Sequence, residues 1–450
     1  MELIAKQYVA VNNAIAGFSS KIPDRARTAM INVSVYVLLC IGLLRYCNKV
    51  MKNFVHFSDL VYPVGIAMIL IFTVAGIRCK TSIEKIRIGK AFWFGWMLCF
   101  VMMFIMALIH PVVKDYFIWS VMGIFIFPLI FIGHSGRNDF KRMCRTVSEA
   151  VLVITYVFII LSLILAPFFS RGELGEIMPE YIGLAVNPNN NGMLVIAFYG
   201  PVFYLLMNDR RRAPVYYLMP MGVCIAISVI SGCRTAEIGI MLQTLSGLIY
   251  YYFASVRPCA RRIDWLKMLA AAVIIAAVSL ASGFVLSRLD NMNLEVYAED
   301  SFETSMTSSE EIFNELDRLS TGRLGITRYY IEHSSFWGNG SPDGPIMEGY
   351  EQSKWSFNNA VDILYISGVL PFIGCVIWTL AVILFIIKCL FGRVERRPEY
   401  LFTIVTFAGY FAEFMLEVTI YPLTTSLVLL AYLGFIPVAC RETEPGNIPN

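Results

Sequence analysis

The run SVISGCRTAEIGIML, residues 228–242, sets Arg234 and Glu237 in the middle of apolar sequence. From Val215 to Phe253 they are the only charged residues. An arginine at the centre of a bilayer costs about 2.5–3.5 kcal/mol on insertion scales. At about 1.5 Å per residue this run is too long for one crossing of about 30 Å, but it suits two. The stretch therefore reads as a helical hairpin turning at Gly232-Cys233-Arg234. That turn puts Arg234 at a membrane face, outside the hydrocarbon.

The whole chain agrees with that reading. Its 450 residues are 57% hydrophobic and 15% charged, and its mean hydropathy is +0.65. A soluble globular chain carries about 25% charge. The apolar stretches lack period-2 alternation, which excludes a β-barrel and implies helical spans. Residues 1–28 lack the apolar core of a cleavable leader, so the first span is expected to act as an uncleaved anchor. The net charge of +3 gives no indication of a nucleic-acid partner. The 11 cysteines scatter without a CxxC pair, and the four histidines are far apart, so neither a disulfide framework nor a metal cluster is expected.

Twelve spans are expected, at about 29–46, 60–77, 91–109, 116–133, 150–169, 192–207, 214–232, 236–256, 265–286, 361–390, 400–417 and 421–440. The tenth is long and reads as tilted or broken at "SGVLPFIG". With the N-terminus inside, 25 of the 36 Lys and Arg residues fall on inner segments. By the positive-inside rule both termini are then cytoplasmic. The fold class is an all-α polytopic membrane protein with one large extracytoplasmic loop containing short helices. A nine-helix part (1–286), the loop (287–360) and a three-helix part (361–450) form one membrane domain.

Three unusual segments fall on the external side. "NPNNNG" (187–192) precedes the sixth span; side-chain amides such as Asn187, Asn189 and Asn190 suit sugar hydroxyls, although Asn and Pro also cap helices. The second segment is the Arg234 hairpin, where a guanidinium beside a helix N-terminus suits a phosphate. The bland reading pairs Arg234 with Glu237 or lets it snorkel. The third is the long loop, acidic from Glu295 to Asp317 and then changing to "LSTGRLGITRYYIEHSSFWGNGSPDG". Ser320 or Thr321 is a candidate cap for a short helix carrying Arg323, Arg328 and His333. Arg323 and Arg328 lie about 140° apart on a helix, so they do not grip one ligand together. Beyond the loop, Asn358 and Asn359 read as caps or substrate contacts, and Asp362 as a first-turn acid. Glu413 and Glu417, one turn apart, either line a polar cavity or face water.

Taken in order, "NPNNNG", "SGCRTAEIG", "STGR" with its helix, "WGNGSPDG" and "FNNAVDILYISGVLPFIG" resemble the bacterial O-antigen polymerase and O-antigen ligase superfamily. The resemblance covers about residues 180–440. It implies a glycan on undecaprenyl diphosphate as donor, with an acceptor sugar hydroxyl attacking the anomeric carbon and the lipid diphosphate leaving. It implies no cofactor, metal or nucleotide. Arg234 and Arg323 would hold the diphosphate, with Asn187, Asn189, Asn190, Arg328, Asn358 and Asn359 as substrate contacts. Membrane lipid, a flippase and a chain-length regulator are the implied partners, in the bacterial cytoplasmic membrane. One departure stands out. Many members have a His-Asn pair where this chain reads Asn358-Asn359, and asparagine is no base. Either no strong base is needed, or Asp362, His333 or Glu332 serves. The departure favours a polymerase over a ligase. A flippase for the same lipid-linked units is the main alternative of another class, although inverted repeats are not evident here.

Overall fold

The computed structural model describes residues 2–46, 57–110, 114–169, 188–231, 233–256, 265–269, 272–273, 323–340, 356, 358–392, 394–416 and 426–443. The opening stretch is two helices, α9 (Val215–Ile230) and α10 (Arg234–Tyr251). Between them the Cys233 amide donates to the Ser228 carbonyl at 3.3 Å. Arg234 is the first residue of α10, and it is exposed.

The other helices, in chain order, are α1 (Glu2–Ser19), α2 (Asp24–Tyr46), α3 (Phe57–Gly76), α4 (Lys90–Ile109), α5 (Lys114–Val121), α6 (Phe127–Gly133), α7 (Arg137–Phe169) and α8 (Pro188–Asn208). After α10 come α11 (Arg323–Glu332), α12 (Asn359–Ser367), α13 (Val369–Leu390), α14 (Tyr400–Leu416), α15 (Ser426–Gly434) and α16 (Ile436–Ala439). Among the described residues, six segments are long and apolar enough to cross a membrane: Asp24–Leu44, Lys90–Ile109, Tyr116–Gly133, Arg137–Ser162, Asn189–Asn208 and Val369–Leu390. Shorter apolar helices cover Tyr62–Gly76, Val215–Val229, Tyr400–Leu416 and Ser426–Ala439. The ninth expected span lies mostly outside the described residues.

Helix α13 carries a face suited to a bilayer. One stripe, Ile373, Val376, Leu380, Leu384 and Ile387, is exposed. The opposite stripe, with Cys375, Trp378, Val382 and Phe385, is buried. Water would not tolerate so continuous an apolar face, whereas lipid does. On the buried side α13 approaches α4 at Gly95 and Gly374. A Cβ on Gly374 would come within 2.7 Å of the Gly95 carbonyl. Above this contact sits an aromatic core in which Trp96 packs against Trp378 at 5.9 Å and Tyr432 at 5.0 Å. A π-helical turn, Met122–Ile126, joins α5 to α6, and the Gly123 carbonyl there accepts from Trp96 Nε1 at 2.7 Å.

Two features were not foreseen in the sequence. Helix α1 buries Ala5, Val9, Asn12 and Ala16 along one side; its residues at i, i+4, i+7 and i+11 make a helical stripe that no continuous apolar run reveals. The expected all-α fold also carries a small antiparallel sheet, in which β1 (Ile86–Ile88) pairs with β2 (Cys440–Glu442), Arg87 opposite Arg441.

That sheet helps gather several segments at one end of the bundle. It joins the segment after α3 to the C-terminal segment. Asn13 exchanges two hydrogen bonds with Thr81, both 2.8 Å. Arg137 lies 3.5 Å from Glu399, and the Tyr250 hydroxyl donates to the Arg397 carbonyl at 2.7 Å. These basic segments thus lie together at one end of the bundle. The start of α10 lies at the other end.

Candidate functional site

The site is built on three helices that share small-residue contacts. Gly192 on α8 meets Cys233 and Ala236. Further along, Gly239 on α10 faces Ile196 of α8 and Ala412 of α14, with Ala412 3.6 Å from where a Cβ would stand. Gln243 Nε2 donates to the Ile196 carbonyl at 3.1 Å, and added carbons at Gly200 or Gly409 would run into that amide. Glycine at these positions lets the backbones approach closely. The pairings Gly239 with Ala412 and Gly247 with Val405 show α10 and α14 running antiparallel. The last turn of α14 therefore lies level with Arg234.

At this level "NPNNNG" and the Arg234 hairpin meet. The Cys233 thiol lies 3.8 Å from Asn189 Oδ1, within sulfur hydrogen-bond reach. Asn189 and Asn190 are half-buried. Asn191 is wholly buried and was not singled out from sequence. Asn187 lies outside the described residues. Glu413 on α14 is also wholly buried at this end, which decides against its facing water; Glu417 lies outside the described residues.

The segment after the long loop lands on the same end. Asn358 caps α12, its Oδ1 accepting from the amides of Ala360 (3.0 Å) and Val361 (3.3 Å). Its Nδ2 donates to the Met415 carbonyl of α14 at 3.3 Å. Both ends of the Asn358 amide are thus engaged structurally. Asn359 is buried in the first helical turn. Asp362, one turn beyond the cap, is fully buried. Its Oδ1 accepts from the Ser356 amide at 3.0 Å, while its Oδ2 is buried without a hydrogen bond. Helix α12 lies ahead of the Val369–Leu390 crossing. Burial pushes the Asp362 carboxyl up to about 7, against the lowering effect of Ser356.

Helix α11 docks on α12. Thr327 Oγ1 donates to the Ser356 carbonyl at 2.7 Å, and the buried Tyr330 ring packs on Tyr365 at 4.8 Å. Position 323 is the first of α11, one turn before Thr327 on the same side of the helix. The candidate cap at Ser320 or Thr321 lies outside the described residues. Arg328 is exposed and pairs with Glu332 at 2.8 Å. His333 is exposed, with Nδ1 2.8 Å from the Tyr329 carbonyl and its ring against Tyr329.

The "WGNG" turn interlocks with the break between α12 and α13. Gly338, Gly340 and Gly368 have φ of 80°, 64° and 94°. The amide of Asn339 donates to the Tyr365 carbonyl at 2.7 Å, that of Gly340 to Ile366 at 3.1 Å, and that of Val369 to Phe336 at 3.0 Å. A side chain at Gly338 or Gly368 would collide with the backbone of the other segment. These glycine motifs lock the α11 segment onto the break between α12 and α13.

The structure therefore brings the starts of α8, α10, α11 and α12 and the end of α14 to one end of the bundle. The positions of Asn189, Arg234, Arg323 and Asp362 lie in that group, though separated by up to 173 residues along the chain. Sequence reasoning missed Ser356 and Thr327. Their only signal was a Ser-x-Asn capping pattern and a β-branched residue one turn after Arg323. Among the described residues no group of three or more His, Cys, Asp or Glu is placed to hold a metal ion. No protein-family model, no curated protein and no solved structure matches this chain.

Proposed function

We propose that the protein is a polymerase of surface polysaccharide, of O-antigen or capsule type, joining undecaprenyl-diphosphate-linked repeat units at the external face of the bacterial cytoplasmic membrane. In this reading twelve helices span the membrane and both termini are cytoplasmic. The supporting observation is the convergence, opposite the basic end, of the asparagine segment, the Arg234 hairpin, the Arg323 helix and Asp362.

The chemistry follows from those groups. The acceptor sugar hydroxyl attacks the anomeric carbon of the donor glycan. The bond from that carbon to the diphosphate oxygen breaks, and undecaprenyl diphosphate departs with the electron pair. Arg234 and Arg323 offset the negative charge that develops on the diphosphate. The acceptor proton passes to the Asp362 carboxylate, whose raised pKa lies near neutral pH, where a base is most effective.

The test is deletion in the bacterium that makes the protein, complemented with wild type or with Arg234→Ala or Arg323→Ala. Either variant is expected to accumulate single lipid-linked units on the external face. Long polymer made by both variants contradicts the reading. Units trapped inside the cell on deletion indicate a flippase, and long lipid-linked polymer that never transfers indicates a ligase.

A further inference from the structure

Helix α1 is pinned at two points to the end of the bundle that holds the β1–β2 sheet. At its start Glu2 pairs with Lys90, the first residue of α4, at 3.0 Å. About 16 Å further along the helix, Asn13 holds Thr81 through its two hydrogen bonds. Beside it, Asn12 Oδ1 would stand 3.1 Å from a Cβ on Gly133, where the Tyr116–Gly133 crossing ends. Both pinned points are level with the ends of crossing segments, so α1 runs along the membrane plane.

Around its axis the helix has four distinct sides. Ala5, Val9, Asn12 and Ala16 face the bundle. Glu2, Lys6 and Asn13 form a polar edge, held outward by Lys90 and Thr81. Ile4, Tyr8 and Ile15 form the opposite edge, about 160° round the helix. Tyr8 reaches inward from that edge: its hydroxyl donates to the Ile124 carbonyl at 2.6 Å, and its ring packs on Trp93 at 5.6 Å. Ile124 lies in the π-helical turn, inside the Tyr116–Gly133 crossing. The fourth side is exposed and apolar. It carries Leu3 (72% exposed), Val11 (48%) and Phe18 (62%), with Ala10 and Ala14 between them and Gln7 as its polar member.

Two relationships say what covers that side. It opens between an edge turned to water and an edge turned to the bilayer interior, the order in which a leaflet stacks its own headgroups and chains. It also adjoins the apolar outer surface of the crossings. Trp93 and Ile124, which Tyr8 touches, are each followed by an exposed aromatic, Phe94 and Phe125, within a crossing segment. We infer that α1 is an in-plane surface helix seated in a phospholipid leaflet, with Leu3, Val11 and Phe18 among the acyl chains and the exposed Lys6 at the level of the phosphates. The inference does not rest on the proposed polymerase activity, whose residues lie at the opposite end.

Photo-crosslinking of the full chain in vesicles of phosphatidylethanolamine and phosphatidylglycerol tests it. p-Benzoylphenylalanine is placed singly at Leu3, Val11 or Phe18, and at Ser20 on the polar edge as control. All four positions are exposed, so the change leaves the packing alone. After irradiation, mass spectrometry is expected to find phospholipid adducts at Leu3, Val11 and Phe18 at least fivefold more abundant than at Ser20. Adducts no more abundant than at Ser20 overturn the inference and leave the face in water. Crosslinked pairs of the chain in place of lipid adducts overturn it in favour of a second copy as the occupant.

Discussion

The Thr327 hydroxyl donates to the Ser356 carbonyl at 2.7 Å. The amide of the same Ser356 donates to Asp362 at 3.0 Å. One residue thus ties the Arg323 helix to the buried acid, and Asn358, two positions on, ties both to α14 through Met415. The assembly sits on the α8–α10–α14 packing that carries Arg234. Each link can be broken separately.

Asp362 should make both stability and rate depend on pH. Its folded carboxyl titrates at about 7, against 3.8 for the ordinary group. Between these values the folded protein holds a proton that the unfolded chain releases, so stability falls as pH rises through that window. The contribution is complete below 3.8 and gone above about 7. The Asp362→Asn variant should unfold at a temperature nearly independent of pH from 5 to 8, where wild type declines. Its polymer synthesis should drop at least a hundredfold, while wild-type synthesis rises with pH through about 7. An Asp362→Asn protein that still makes polymer at the wild-type rate removes Asp362 from the reaction.

The interlock at Gly338 and Gly368 should tolerate no side chain. Gly368 has φ of 94° and ψ of −176°, a region reserved for glycine. Backbone strain there costs about 1–3 kcal/mol, and the collision with the "WGNG" turn adds to it. Gly368→Ala should lower the melting temperature and loosen α11, which limited proteolysis would report as cleavage between residues 323 and 340. Unchanged protection would mean that α11 is held by other contacts.

Asn358 separates capping from substrate binding. Loss of an N-cap costs about 1 kcal/mol. Asn358→Ala should be less stable by about that amount, and Asn358→Ser, which keeps the cap, should retain both stability and polymer synthesis. A serine variant that is stable but inactive would show that Asn358 contacts substrate as well as capping α12.

Much of this was legible in the sequence. The 39 residues from Val215 to Phe253 could only be two helices, and the structure turns where Arg234 required. The break at "SGVLPFIG" also stood out, because Gly-x-x-Pro interrupts an otherwise continuous apolar run. Helix α1 did not, since its buried stripe of alanine, valine and asparagine is too weak to distinguish from loop sequence. The three-residue strands were equally silent; their pairing is set by which chain ends meet, not by local propensity. At the site, residue types were readable but their employment was not. Asn358 reads equally as a cap or a substrate contact, and only its hydrogen bonds show the cap. Asp362 and Asn191 gain their interest from burial, which tertiary packing alone decides.

The central claim is that Arg234 and Arg323 act on one diphosphate. Its most direct test is a double-mutant cycle on the binding of an undecaprenyl-diphosphate-linked repeat unit to wild type, Arg234→Ala, Arg323→Ala and the double variant. Each single change should weaken binding at least tenfold, with the double variant losing clearly less than the product of the two. Single variants that bind as wild type does, or losses that simply multiply, would contradict a shared ligand.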